Sequence, residues 1–226
     1  MLTAMNNSVR SLARLAGAGL RALLVLSLVT GVGYPLVVTG IAQGLFPHQA
    51  NGSEIKEDGK AVGSELIGQT YTLSPKKGQG TSEPDLRWFQ PRPSNGLGTN
   101  TVNTRYELQL SGATNLSGDS RKLVAQVRDA KKAVIEDNST PGHAIAPEDV
   151  PADAVTSSGS GLDPDISPAY AHLQAHRVAQ RNHLPATQVD KLIDKHTEGR
   201  IAGFVGEPRV NVLELNIALR DVTERH

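Results

Sequence analysis

From Ala22 to Phe46 the chain reads ALLVLSLVTGVGYPLVVTGIAQGLF, 25 residues without a single charge. As an α-helix this run would be about 37 Å long, against a bilayer hydrocarbon core of about 30 Å that needs roughly 20 residues. A helix in water keeps one charged or strongly polar face, and this run has none. The pattern therefore predicts one transmembrane helix over residues 20–46. Pro35 sits in mid-span, where it withholds an N–H and bends the helix, a defect that membrane helices tolerate. Gly31, Gly33 and Gly40 either let a partner helix approach closely or simply reflect the composition of membrane spans. Gly40-Ile41-Ala42 offers small residues for signal cleavage, but signal h-regions run to about 7–15 residues and this apolar run is longer.

After the span the pattern turns polar and broken. HQANGSEIKEDGK (48–60) predicts a linker over residues 47–60. Residues 61–74 carry short apolar pieces with β-branched and aromatic members and predict one strand. An irregular stretch follows, with Pro75, Pro84, Pro91, Pro93 and the single tryptophan, Trp88. Leu123, Val127, Ala130 and Val134 recur at helical spacing behind Asp119 or Ser120 as N-cap, predicting a helix to Asn138. Residues 139–168 read as loop. Ser167-Pro168 is an N-cap with proline at the first helical position, predicting a second helix to about Arg181. A third follows Pro185, with Val189, Leu192, Ile193 and His196 on one face and Gly199 as its stop. VNVLELNIALRD is open between strand alternation and helix, and we favour helix. The predicted fold class is α+β: one N-terminal transmembrane helix followed by a small mixed helix/strand extracytoplasmic domain over residues 61–226.

Charge adds direction. Arg10, Arg14 and Arg21 precede the span with no acidic residue among them, and the first charge after it is Glu54. The positive-inside rule then leaves residues 1–19 in the cytoplasm, the chain crossing the cell (inner) membrane once and the C-terminal domain outside. Overall the chain is neutral, with 23 basic and 23 acidic residues, so no nucleic-acid partner is expected. It has no cysteine, which removes disulfides, thiol nucleophiles and thiolate metal sites.

Few residues suggest chemistry. TSSGSGLDPDISP (156–168) joins a glycine loop to a helix start. Such a junction can hold an anion on backbone N–H groups, but the lysine of a phosphate loop is missing and Asp163 and Asp165 would repel phosphate. The loop also reads as a tight turn, or as an acidic lining that gathers cations. Ser111, Gly112, Ala113, Thr114 and Asn115 form a Ser-Gly turn that looks like part of the Leu-Ser-Gly-Gly-Gln signature of transport ATPases, with Ala113 and Thr114 as departures. His172 and His176, four apart, could share a helix face as metal ligands do, but no third ligand follows. Trp88 and Phe89 in WFQPRPS either anchor an interface or fill the core. No nucleophile–base set or acid/base pair is present that would make a hydrolase.

Taken in order, the single N-terminal span, WFQPRPS (88–94), SGATNLSGDS (111–120), VPADAVTSSGSGLDPDISPAYAHLQAHRVAQ (150–180) and GEPRVNVLELNIAL (206–219) resemble the KdpC family, a small component of the Kdp-type potassium-transporting P-type ATPase. The likeness runs over nearly the whole chain from Leu20. It departs at Ser111–Asn115, where the family usually reads Ser-Gly-Gly-Ser-Asn. The resemblance implies a non-catalytic subunit of a high-affinity, ATP-driven potassium uptake complex, embedded in the lipid bilayer beside a potassium-channel-like subunit and an ATP-hydrolysing P-type subunit. Two roles follow. In one, the chain stabilises assembly and caps the outer potassium entrance. In the other, it is a catalytic chaperone that raises the ATP affinity of the hydrolysing subunit through Ser111–Asn115. No tightly bound cofactor is expected, and ATP would be met only through the complex. Asp163 and Asp165 are the cation-steering pair of the first role.

Overall fold

The computed structural model describes residues 2–57, 59–73, 83–94 and 111–224. They fall into two compact units, Met1–Ser53 and Glu54–His226. Of the irregular stretch expected around Pro75, residues 74–82 lie outside the described residues.

The first unit is helical almost throughout: α1 (Leu2–Leu28), a π-turn (Val29–Gly33), α2 (Tyr34–Leu45) and the short α3 (Pro47–Ala50). Arg10–Leu45 is long and apolar enough to cross a membrane. The π-turn lies just ahead of Pro35, as expected where proline cannot donate to the carbonyl four residues back and its ring crowds it. The Tyr34 N–H reaches Val29 O, five residues back, so the helix widens by one residue per turn instead of breaking. Thr30 Oγ1 donates to Leu26 O at 2.7 Å, within the same stretch. Residues 47–60, read from sequence as a linker, contain α3 and then β1 (Glu54–Glu57), which pairs antiparallel with β2 (Lys60–Ser64). The expected strand within 61–74 is thus the second arm of a hairpin and ends at Ser64. A side chain at Gly63 would collide with Gln69 Nε2 at 2.0 Å and Leu213 Cδ2 at 2.7 Å, so only glycine lets the hairpin pack this closely.

The remaining elements are α4 (Arg121–Asn138), 3₁₀ turns at Pro147–Asp149 and Ala152–Ala154, β3 (Asp165–Ile166), α5 (Pro168–Arg181), α6 (Ala186–Lys195), β4 (Thr197–Glu198), β5 (Arg209–Asn211) and α7 (Val212–Thr223). The strands form a small antiparallel sheet in the order β3-β5-β4, with Val210 opposite both Ile166 and Thr197. This is the α+β architecture the pattern predicts. In α4 the stripe is present but only Val134 and Asn138 are buried; Ser120 takes the N-cap backbone conformation without a side-chain cap bond.

Ser167 caps α5 as expected, accepting from the Tyr170 N–H at 3.1 Å while its own hydroxyl donates to Asp153 at 2.9 Å. Gly199 does not stop α6. The helix ends at Lys195, where the Thr197 hydroxyl takes the Ile193 carbonyl at 2.8 Å, and the chain enters β4 directly. The ambiguous C-terminal run is both things in turn: Asn211 closes β5, and its side chain accepts from Leu213 N and Glu214 N, starting α7. The core forms where α5, α6 and α7 meet the sheet, around Ala171, Val178, Val189, Ile193, Val210, Leu215 and Leu219. Each large aliphatic side chain removed from water here contributes about 1.5–3 kcal/mol before chain entropy is counted.

Candidate functional site

The irregular Asp85–Ser94 segment is clamped into the core by side chains from two helices. Phe89 is fully buried and Trp88 packs partly against the same cluster, so these aromatics serve the core. Asn216 of α7 accepts from Phe89 N at 2.9 Å and donates to Phe89 O at 3.0 Å. Gln174 of α5 treats Gln90 alike, accepting at 2.7 Å and donating at 3.1 Å. Two amide side chains thus replace the neighbouring strand that this segment lacks. Between them Arg177, 2 % exposed, donates to Trp88 O at 3.0 Å, Asn138 Oδ1 at 2.8 Å, Gln174 Oε1 at 2.6 Å and also Leu86 O. Burial pulls its guanidinium down to about 10, opposed by Tyr170 and Asp137, so it is a cation at neutral pH. At the start of the segment, Arg87 bonded to Asp85 holds that carboxyl below the usual range.

The other end of the segment meets the glycine loop. Arg92 pairs with Asp163 at 2.9 Å and reaches Thr156 O, while Ser94 Oγ donates to Gly161 O. Gly161 takes φ +70°, the left-handed turn expected of a loop glycine. Its N–H goes to Ser158 Oγ at 2.8 Å, and the Leu162 N–H goes to Ser160 Oγ at 3.1 Å. The Ser111–Asn115 segment lies on the same loop: Gly112 N donates to Ser160 O at 2.7 Å and Ser111 Oγ to the same oxygen at 3.0 Å. Ser111, Gly112, Ala113 and Asn115 are exposed and Thr114 is half-buried, with Asn115 at φ +51°. A side chain at Gly112 would meet nothing within 4 Å, so its lack of a Cβ is not needed for space. The backbone N–H groups of Gly112, Gly161 and Leu162, and that of Ser167 at the start of α5, which goes to Asp153 at 2.7 Å, all have partners inside the chain.

Of the two aspartates, Asp163 also accepts from Asp165 N at 3.1 Å. Asp165 pairs with Arg209 of β5 at 3.2 Å. Burial pushes the Asp165 carboxyl up to about 6, against the pull of Arg209 and helped by Asp163, Glu198 and Glu214. Each carboxylate of the expected cation-steering pair therefore has its own arginine. His172 and His176 diverge: His172 faces Asp190 at 3.1 Å and Asp194 at 3.3 Å, while His176 stacks on His143 with ring centroids 3.8 Å apart. Among the described residues no three His, Cys, Asp or Glu side chains are grouped to hold a metal.

Four sequence blocks far apart in the chain thus meet around one loop: 88–94, 111–115, 156–168 and 206–219. The sequence pattern singles out all four but misses the residues that join them, Gln174, Arg177 and Asn216. The available signal is a polar residue at a core-facing position, since Gln174 lies three after Ala171 and four before Val178.

Comparison with known proteins gives this convergence a context. A family model described as KdpC, K+-transporting ATPase, c chain, matches residues 16–221 and so takes in all four blocks. A potassium-transporting ATPase KdpC subunit from Streptomyces avermitilis is 70% identical over 218 residues, covering 96% of this chain and 98% of its own. One from Streptomyces coelicolor is 72% identical over 215 residues, 95% and 96% of the two chains. One from Mycobacterium tuberculosis is 42% identical over 197 residues, 87% and 93% of the two chains.

Proposed function

The chain belongs to the KdpC family, the c chain of K+-transporting ATPases, and on that premise we propose that its soluble unit stabilises assembly of the transport complex and caps the outer potassium entrance. As a c chain it is an accessory membrane subunit; hydrolysis belongs to another subunit. Its partners in this reading are the channel-like subunit and the ATP-hydrolysing subunit.

The observation that carries the sidedness is the charge around the apolar helix: Arg10, Arg14 and Arg21 before it, and no charge after Ala22 until Glu54. By the positive-inside rule the soluble unit is then external and out of reach of cytoplasmic ATP. The engagement of the Gly112, Gly161 and Leu162 N–H groups within the chain supports the same reading, because a phosphate would have to displace those bonds. Asp163 and Asp165 line the outer face in this proposal, where their field would favour cations over anions.

Protease added to intact spheroplasts tests it. Cleavage of the soluble unit from outside, together with copurification of both partner subunits, is the expected result. A protected domain would favour the nucleotide-affinity role instead. In that case the full chain in detergent should bind labelled ATP saturably at micromolar concentration, and Ser111→Ala with Asn115→Ala should abolish it.

A further inference from the structure

The connection between β4 and β5 projects three large apolar side chains into solvent: Phe204 is 77%, Ile201 66% and Val205 48% exposed. Three such residues within five positions form a patch of the sort that marks interaction sites. The tip is built, not slack. Ile201 and Val205 exchange backbone hydrogen bonds in both directions, at 2.9 and 3.0 Å. The turn between them uses positive φ at Ala202 (+53°) and Gly203 (+82°), and the left-handed conformation at a residue bearing a Cβ costs about 1 kcal/mol. Arg200 and Glu207 close the base with an ion pair at 2.8 Å, and Arg209 is shared between Glu198 at 2.7 Å and Asp165 at 3.2 Å.

We propose that Ile201, Phe204 and Val205 form a preformed apolar anchor that seats in an apolar pocket on a partner subunit of the transport complex. The proposal rests on the assembly role above and deepens it by naming the contact. Charge decides between the two apolar environments a membrane subunit can meet. Adsorption to an anionic bilayer needs basic residues free to face the headgroups, and both arginines at the base of this tip are already neutralised by carboxylates. A protein pocket needs no surplus charge. It favours an aromatic anchor, ordered before binding and ringed by polar groups, because little conformational entropy is then lost on docking.

The test uses the full chain coexpressed with its partner subunits. Phe204→Asp should lower the yield of copurified partner subunits roughly tenfold or more, and Phe204→Leu should leave it near normal. An unchanged yield with Phe204→Asp overturns the anchor. Because the side chain is exposed, the variant's melting temperature should match the parent's. A photo-crosslinking phenylalanine analogue at position 204 gives a second readout that does not depend on the substitution's effect on folding. An adduct with a partner subunit supports the proposal; an adduct with lipid or with a second copy of this chain, or no adduct, overturns it. If the assembly role itself were wrong, the unaltered chain would bring down no partner, whereas failure of the anchor alone leaves parent and Phe204→Asp equal.

Discussion

The Asp85–Gln90 segment and the Thr156–Asp163 loop are both irregular, and both are held by arginine and hydroxyl or amide side chains. They differ in water. Around the first, Arg177, Gln174 and Asn216 are at most 3 % exposed; around the second, the Arg92 and Asp163 side chains keep 21% and 29% of their surface in solvent. The same contacts should therefore have very different worth. A buried donor that loses its partner bears the full desolvation penalty, whereas an exposed one turns to water. The first segment is thereby part of the fold, and the second is free to adjust to a partner.

The largest expected effect is at Arg177. Arg177→Met removes the donor to Leu86 O, Trp88 O, Asn138 and Gln174 together, and should cost about 3–5 kcal/mol. Urea unfolding followed through the single tryptophan, whose own carbonyl is one of those acceptors, reads this directly. Arg177→Lys should rescue little, since an ammonium cannot span the fork. Next, Asn216→Leu orphans Phe89 N and O and should cost about 2–3 kcal/mol by the same measurement. Arg92→Ala should cost only about 1 kcal/mol, shrinking further in 0.5 M salt. Should Arg92→Ala prove as damaging as Arg177→Met, burial would not be what separates the two regions.

The smallest effect tests the acidic end of the loop through pH. Burial raises the Asp165 carboxyl to about 6 in the folded chain, against about 4 when unfolded. Below pH 4 both states are protonated and this group contributes nothing. Between pH 4 and 6 the unfolded state sheds its proton first, so stability falls as pH rises, and above 6 the loss is complete. Asp165→Asn removes that slope. It should match the parent below pH 4 and be the more stable by up to about 1 kcal/mol at pH 7.5, the Arg209 pair accounting for the modest size. A parent whose stability is flat from pH 4 to 7 would show that Arg209 fully offsets the burial.

The transmembrane helix, α5 with its Ser167 cap, and the amphipathic stripes of α4 and α6 could be read from the chain, because each depends on neighbours within one or two turns: hydropathy, a cap, a period of 3.6. The four blocks that meet around the glycine loop were also visible, as motifs and as a family resemblance. What linked them was not. The short strands β3, β4 and β5 are two or three residues each, too brief to show alternation, and form only because their partners lie elsewhere in the sequence. The helix–strand ambiguity at 208–220 dissolved for a similar reason: pairing with β3 and β4 holds 209–211 extended, and Asn211 then starts the helix. Whether Gln174 and Arg177 face water or core, whether Asp163 and Asp165 are free or paired, and that Phe204 stands in solvent while Phe89 is buried are all decided by contacts across 64 or more positions or by their absence. Local pattern determines which segments can be helices and which can enter a membrane. Burial is a property of the whole packed chain, and with it the worth of every polar contact described here.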